Sequence, residues 1–188
     1  TLFPYTTLFR SDEQINYLQK EIDKELEKQQ TKLIPDDYEF LLDYIEKDKC
    51  LILTGNSMYM FGRYIDTLEG KIDGLGVFDY YTKYINNPKY KSASNYRVSC
   101  ESISSFHGIN ELIIGFQNRC GTVMDVKKPL FKTSSRCSND LDTDGEGFSY
   151  KNVYATMNIG PLLIRNPYFL DYILDISFCK YFYFICIF

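Results

Sequence analysis

The chain has 188 residues, of which 45% are hydrophobic and 24% are charged, and its formal net charge is −4. This length allows one α/β domain with a buried core and leaves no comfortable room for two. The negative charge gives no support to a nucleic-acid-binding or anionic-membrane surface, so we expect no nucleic-acid partner.

Cysteine usage bears on the compartment and on metal binding. The six cysteines lie far apart without a Cys-x-x-Cys pair, and the only histidine is His107. Disulfide frameworks belong to short secreted chains, and zinc sites need clustered ligands. The pattern therefore favours a cytoplasmic protein with reduced thiols, and we expect no metal and no cofactor.

Both ends of the chain differ from its middle, which is the predicted domain at residues 12–176. Residues 1–11 resemble the translation of a short-read sequencing adapter, so we expect an artefact there and a natural N-terminus upstream. Residues 177–188 form an apolar tail that fits a final strand or helix as well as read-through sequence. The apolar run from Ile173 is interrupted by Asp175 and Lys180. It is too short for the roughly 20 residues of a membrane span, so none is expected.

In chain order, the pattern predicts two helices, a buried strand and a third helix. The first two helices are indicated by apolar residues at helical spacing, namely Ile15, Leu18, Ile22 and Leu26, then Phe40, Leu41, Tyr44 and Ile45 after Pro35. The run Leu51 to Leu53 predicts an inner strand, and the turn Thr54 to Ser57 leads to a helix from Met58 to Tyr64. This order is typical of the βα unit of a doubly wound sheet.

The second half of the chain is predicted to add strands. These are Arg97 to Ile103, Leu112 to Phe116 and Val153 to Thr156. Loops rich in turn-forming residues are predicted at residues 70–76 and 134–147. A last helix is predicted from Tyr168 to Leu174.

Three sets of residues carry a resemblance to a known family, and they are Leu51–Gly62, Lys71–Asp79, and the segments Gly115–Asn118, Gly145–Val153 and Gly160–Pro167. In their order and spacing, the residues from Leu33 to Leu174 resemble the class I glutamine amidotransferases of the cobyric-acid-synthase-like group. The subgroup that these motifs fit is the amidotransferase subunit of lipid II isoglutaminyl synthase. The implied fold is a flavodoxin-like three-layer α/β sandwich with a mostly parallel sheet, here without its N-terminal strands.

The resemblance also implies a chemistry. In the family, a cysteine on the strand-to-helix turn attacks the glutamine amide with the help of a histidine, and ammonia is released. The ammonia serves an ATP-dependent partner, here a Mur-ligase-like subunit that amidates a cell-wall precursor.

The sequence departs from the family at both catalytic positions. Aligned without gaps, the nucleophile position is Gly55 and the base position is Ile159. Glycine cannot act as a nucleophile, and isoleucine cannot act as a base. Because nucleophile and base must meet, we still expect Gly55, Asn56, Ile159 and Gly160 to lie together. The residues predicted to bind substrate are Asn56, Arg97, Gln117 and Asn118, with Arg97 where the subgroup holds the glutamine carboxylate.

Other residues offer weaker alternatives. A hydroxyl nucleophile at Thr54 or Ser57 would lack a histidine, and Cys120 would be a substrate-side thiol. His107 fits a surface turn. The acidic segment Asp140 to Asp144 matches half of an EF-hand loop but lacks the closing glutamate, so we read it as a plain loop.

Three functions remain open at this point. The favoured one is a degenerate, non-catalytic subunit that binds a partner or glutamine. The second is an active glutaminase subunit, of lipid II isoglutaminyl synthase or of a cobyric-acid-type amidase, whose sequence is corrupted or truncated. The third is a purely structural interaction module. Two independent losses between intact flanking motifs favour the first over the second.

Overall fold

The computed structural model describes residues 35–85, 97–160, 162–179 and 184–187. The chain divides into two units, residues 1–41 and residues 42–188. Only the beginning of one helix represents the first unit among the described residues, so the architecture below is that of the second. The predicted helix around Ile15 to Leu26 and the adapter-like start lie outside the described residues.

The described elements, in chain order, are α1 (Pro35–Glu46), β1 (Cys50–Thr54), α2 (Asn56–Phe61), β2 (Tyr64–Thr67), β3 (Gly70–Asp73), β4 (Tyr81–Tyr84), β5 (Val98–Ser104), β6 (Ile113–Arg119), β7 (Gly121–Met124), β8 (Phe131–Lys132), a 3-10 turn (Ser135–Cys137), β9 (Gly145–Glu146), β10 (Phe148–Tyr150), β11 (Val153–Thr156), α3 (Leu162–Arg165), α4 (Pro167–Cys179) and β12 (Phe184–Ile187).

The sheet that positions the site has the strand order β10-β11-β1-β12. Strand β1 lies inside it and runs parallel to both neighbours, with Leu51 opposite Val153 and Thr54 opposite Thr156. Its first four residues are all buried, which is the pattern of a strand covered on both faces. The prediction of an inner strand at Leu51 to Leu53 is confirmed.

The other sheets are mixed or antiparallel. One has the order β3-β2-β4-β7, while β5 pairs with β6 and β8 pairs with β9 in two-stranded sheets. Parallel pairing is limited to β1 with β11, β1 with β12 and β2 with β4 among the described strands. The α/β composition agrees with the prediction, but the expected mostly parallel character describes only the sheet around β1.

The region after β1 differs from its prediction. Helix α2 begins at Asn56, two residues before the predicted start, and it ends at Phe61 because Gly62 is extended with φ −73° and ψ −178°. Tyr64 then begins the β2–β3 hairpin, part of which lies where the sequence predicted a loop. The hairpin turn is closed by Thr67, whose hydroxyl accepts from Glu69 N and donates to Gly70 O. The apolar spacing predicted that the helix continues to Tyr64, but these hydrogen bonds of Thr67 stabilise a hairpin there instead.

The C-terminal part extends beyond its predicted limit. The expected helix from Tyr168 to Leu174 is α4, which continues to Cys179 and so crosses the expected boundary after residue 176. Residues 184–187 of the apolar tail form β12 on the edge of β1. None of the described helices combines the length and apolar character needed to span a membrane.

Helix α4 closes the core on one side of the site. Its side chains Phe169 and Ile173 are buried beside Phe106 and Phe131, and the rings of Phe106 and Phe169 meet edge to face with centroids 5.4 Å apart. Such aromatic pairs add to the free energy gained by burying apolar area.

Two cysteines that are far apart in the sequence meet in the fold. Cys100 of β5 and Cys137 of the 3-10 turn have Cα atoms 6.5 Å apart, which is close enough for a disulfide. Both residues are buried, and neither Cys50 nor Cys120 forms a disulfide. The two cysteines are 37 positions apart, and the sequence gave no signal of their contact because it depends on how the turn packs against β5.

Candidate functional site

The turn between β1 and α2 has an unusual backbone at Gly55, with φ 58° and ψ −126°. The Gly55 N–H donates to Thr156 O at 2.9 Å, and Met58 N–H donates to Gly55 O at 3.1 Å. A side chain at such a φ is strained, and strained strand-to-helix turns of this kind present the nucleophile in several hydrolase families. The backbone at Gly55, the predicted nucleophile position, resembles such a turn, although glycine lacks the side chain.

The predicted base position faces this turn. Ile159 forms an isolated antiparallel bridge with Phe116, and its N–H donates to Phe116 O at 2.9 Å. A Cβ built on Gly55 would lie 3.3 Å from Ile159 Cγ2. More than a hundred residues separate the two positions in sequence, and their predicted proximity is observed.

A cleft of about 530 Å³ opens between these positions, and it is lined by Thr54, Gly55, Asn56, Asn118, Met157, Asn158, Ile159, Gly160 and Leu162. Its polar groups are neutral amides and one hydroxyl, and its remaining walls are apolar. That set can exchange hydrogen bonds with the carboxamide of a small ligand, and a charged group on the ligand would need a partner outside the lining.

The predicted substrate-binding residues take different places. Asn56 and Asn118 line the cleft. Arg97 is exposed and donates through Nη1 to Asn118 Oδ1 at 3.5 Å, so it lies beside the cleft without lining it. Side chains alternate along β6, so Gln117 points to the opposite, buried face. There it donates to Asn158 Oδ1 at 3.2 Å and to Cys137 O at 2.9 Å.

Beneath the cleft lies a buried carboxylate that the sequence analysis missed. Glu146 Oε1 accepts from Met157 N at 2.7 Å, and Oε2 accepts from the Thr156 hydroxyl at 2.8 Å and from Asn158 Nδ2 at 3.4 Å. Met157 and Asn158 both line the cleft, so Glu146 holds the segment that precedes the base position. A charged residue between two glycines, Gly145 and Gly147, was the available signal.

Burial raises the pKa of Glu146 to about 7, against the hydrogen bonds from Thr156 and Met157 and the charge of Arg119, which lower it. Arg119 is buried nearby, and its guanidinium donates to the carbonyl oxygens of Ser138, Asn139 and Gly121. Desolvation is therefore the dominant influence on this carboxylate, and its charge changes near neutral pH.

Glycine at position 115 makes room for Asn158. A Cβ there would lie 2.6 Å from Asn158 Cγ and 2.8 Å from Ser102 Oγ, closer than side-chain carbons come. Ser102 donates to Asn158 Oδ1 at 2.7 Å, so the amide is held on one side by the hydroxyl and on the other by Glu146. The Gly115–Asn118 motif thus shapes the wall of the cleft from behind.

The alternative catalytic residues are scattered. Thr54 lines the cleft, whereas Ser57 is buried in α2 and Cys120 lies outside the lining. His107 is exposed, with its ring 4.6 Å from that of Phe106. The Asp140 carboxylate accepts from the N–H groups of Asp142 and Thr143 and from the Thr143 hydroxyl, which makes it the cap of its own turn. These hydrogen bonds lower the pKa of Asp140 against the opposing effect of burial.

Comparison with known proteins gives two relatives of one kind. The chain is 29% identical over 136 residues to subunit GatD of the lipid II isoglutaminyl synthase (glutamine-hydrolyzing) of Streptococcus pneumoniae, covering 71% of this chain and 49% of that protein. It is 25% identical over 125 residues to the same subunit from Staphylococcus aureus, covering 66% and 47%. The chain spans about half the length of these curated relatives. No protein-family model matches it.

Proposed function

We propose that the chain is a glutamine amidotransferase-like subunit, related to the GatD subunits, that binds glutamine in the cleft without hydrolysing it. Glutamine is the ligand that the similarity suggests, since the relatives are named as glutamine-hydrolyzing subunits. The neutral amides of Asn56 and Asn118 in the cleft lining support a carboxamide ligand. The contact of Arg97 with Asn118 supports a role for the guanidinium in binding the carboxylate of glutamine.

The observation that carries the proposal is the relation of Gly55 to Ile159. The positive φ at Gly55 and the 3.3 Å approach to Ile159 of a Cβ built at that position support reading the pair as former nucleophile and base positions. Neither residue can ionise, attack a carbonyl carbon or accept a proton. The site therefore retains the means to hold an amide and lacks the means to cleave it.

In a complete assembly, the subunit would act beside an ATP-dependent, Mur-ligase-like partner that amidates a cell-wall precursor. Support for this comes from the relatives, which are named as subunits of lipid II isoglutaminyl synthase. The role of the chain would then be to occupy or regulate the ammonia-donating position of that partner.

The test has two measurements on the same protein. Calorimetric titration with L-glutamine should give saturable binding, weakened by Asn118→Leu in the cleft and unchanged by Lys83→Ala, at an exposed position of β4 outside the cleft lining. An ammonia-release assay should stay at the buffer blank. If glutamine does not bind, the proposal fails, and a purely structural interaction module becomes the favoured function. A saturable glutaminase rate would overturn the non-catalytic proposal and direct attention to Thr54, Ser57 or Cys120.

A further inference from the structure

A second cavity, of about 430 Å³, shares no lining residue with the cleft at Gly55. Its volume falls within the range of small-molecule sites. Its walls are built mainly from aromatic and branched aliphatic side chains, and its rim carries charged residues. Nothing in the proposed glutamine chemistry uses this cavity.

The aromatic wall has a definite geometry. Phe148 lies 4.6 Å from Phe78 and 5.3 Å from Tyr80, measured between ring centroids, with interplanar angles of 50° and 59°. Tyr150 lies 5.9 Å from Phe78 and is 38% exposed. Tilted rings offer both faces and edges, so a planar aromatic guest can stack on one ring and meet the edge of another.

Most of the acidic groups at the rim already have cationic partners. Arg63 pairs with Asp79 at 3.3 Å and with Asp125 at 2.9 Å, and Lys151 pairs with Glu46 at 2.7 Å. These pairs leave little uncompensated negative charge beside the aromatic wall.

Two lysines remain at the same rim. Lys127 is 81% exposed and its ammonium is 3.6 Å from Asp79, a carboxylate that Arg63 already shares. Lys128 forms no salt bridge with any described residue. Its carbonyl accepts from Ser149 N–H at 2.9 Å, which fixes its backbone beside β10, between Phe148 and Tyr150. Both lysines line the cavity together with the aromatic side chains.

We propose that this cavity binds a small planar aromatic anion, with its ring against Phe78, Phe148 and Tyr150 and its anionic group at Lys127 and Lys128. Apolar burial of the ring supplies most of the affinity, and the lysines select the anion over a neutral analogue. The site is independent of the glutamine cleft.

The test uses 2-naphthoate and its neutral analogue 2-naphthamide as probes. Because the chain has no tryptophan, the naphthalene fluorescence can be followed during titration. The unmodified chain should bind 2-naphthoate saturably at one site. The variant Lys127→Gln/Lys128→Gln should weaken 2-naphthoate binding about fivefold to tenfold, since two exposed ion pairs are lost, and leave 2-naphthamide unchanged. Tyr150→Ser should weaken both probes.

The matched control is Lys83→Gln, an exposed lysine of β4 outside the cavity lining, which should change neither affinity. Circular dichroism of each variant separates loss of the site from loss of the fold. Failure of 2-naphthoate to bind, or equal binding to the folded double-lysine variant, would overturn the proposal.

Discussion

A methyl group added to Gly55 would lie 3.3 Å from Cγ2 of Ile159. The two positions therefore bound one narrow space at the cleft, and side chains cannot be exchanged there independently. The φ of 58° at Gly55 adds a backbone constraint that only glycine meets without strain.

Restoring the two missing catalytic groups should work only as a pair. Gly55→Cys or Ile159→His alone should release no ammonia above the buffer blank, because losing one member of a nucleophile–base unit costs about 10⁴ to 10⁶ in rate. In Gly55→Cys/Ile159→His, the imidazole can deprotonate the thiol, so a glutamine-analogue electrophile should label position 55 faster than in Gly55→Cys. Mass spectrometry of the labelled peptide measures this, with the unmodified chain as the unlabelled control. Equal labelling rates would contradict the assigned pairing.

The cost of the positive φ at position 55 should be separable from the cost of contact between a new Cβ and Ile159. Gly55→Ala should lower the free energy of unfolding by about 1–3 kcal/mol through its positive φ, with an added cost from contact with Ile159. In an Ile159→Ala background the collision is removed, so the same change should cost less. Urea denaturation of the four proteins gives the coupling energy directly. Additive effects would show that the two side chains do not compete for space.

Arg97 should govern the affinity for the α-carboxylate of glutamine. Arg97→Lys keeps the charge but loses the paired N–H donors, and we expect glutamine affinity to fall about tenfold. The exposed residue Arg165 provides the control, since Arg165→Lys should leave the affinity unchanged. The same titration with glutaminamide, which has no free carboxylate, should be insensitive to Arg97. If Arg97→Lys weakened the binding of glutaminamide as much as that of glutamine, Arg97 would not be the partner of the carboxylate.

Gly115→Ala should destabilise the protein and distort the cleft. The new Cβ would fall 2.6 Å from Asn158 Cγ, and we expect a loss of about 2–4 kcal/mol in unfolding free energy. Removing the obstructing amide relieves the clash, so Gly115→Ala should cost less in an Asn158→Ala background. Thermal and urea unfolding of the four proteins in this double-mutant cycle provide the measurement. If Gly115→Ala lowered the unfolding free energy equally in both backgrounds, contact with Asn158 would not be the cause.

Glu146 should make stability depend on pH. Its pKa is raised in the folded state from an ordinary 4.5 to about 7, so the folded protein binds the proton more tightly than the unfolded chain. The contribution of this raised pKa to the free energy of unfolding is fully present below about pH 4.5. It falls by about 3 kcal/mol as the pH rises through 7. Glu146→Gln cannot ionise, and it should flatten this part of the profile. Unfolding from pH 4 to 8 tests it against Glu101→Gln, an exposed residue of β5 that should keep the wild-type slope.

The sequence predicted those elements whose burial follows from short runs of consecutive apolar or small residues. Strand β1 and strand β11 were located because four consecutive apolar or small residues mark a doubly covered strand. The β2–β3 hairpin was not predicted, because Tyr64 continues a helical spacing and only the Thr67 turn reverses the chain. Gln117 was assigned to the cleft by motif, yet its strand position turns it away.

The juxtaposition of Gly55 and Ile159 followed from family resemblance and could not have followed from local pattern. The burial of the Glu146 carboxylate depends on partners 10 to 12 residues further along the chain, and the Cys100–Cys137 contact spans 37 positions, so neither appears in a local pattern. A charged residue in a glycine-flanked strand looks solvent-exposed until its neighbours Thr156 and Asn158 are placed.

Asn158 belongs at once to the wall of the cleft and to the hydrogen bonds of a carboxylate that titrates near neutral pH. A ligand that shifts the Met157–Asn158 segment of the cleft wall weakens the hydrogen bonds to Glu146, and a carboxylate that loses a donor holds its proton more tightly. Occupancy of the cleft is then thermodynamically linked to proton uptake. The heat of glutamine binding at pH 7 would vary with the ionisation enthalpy of the buffer, and Glu146→Gln would abolish that variation.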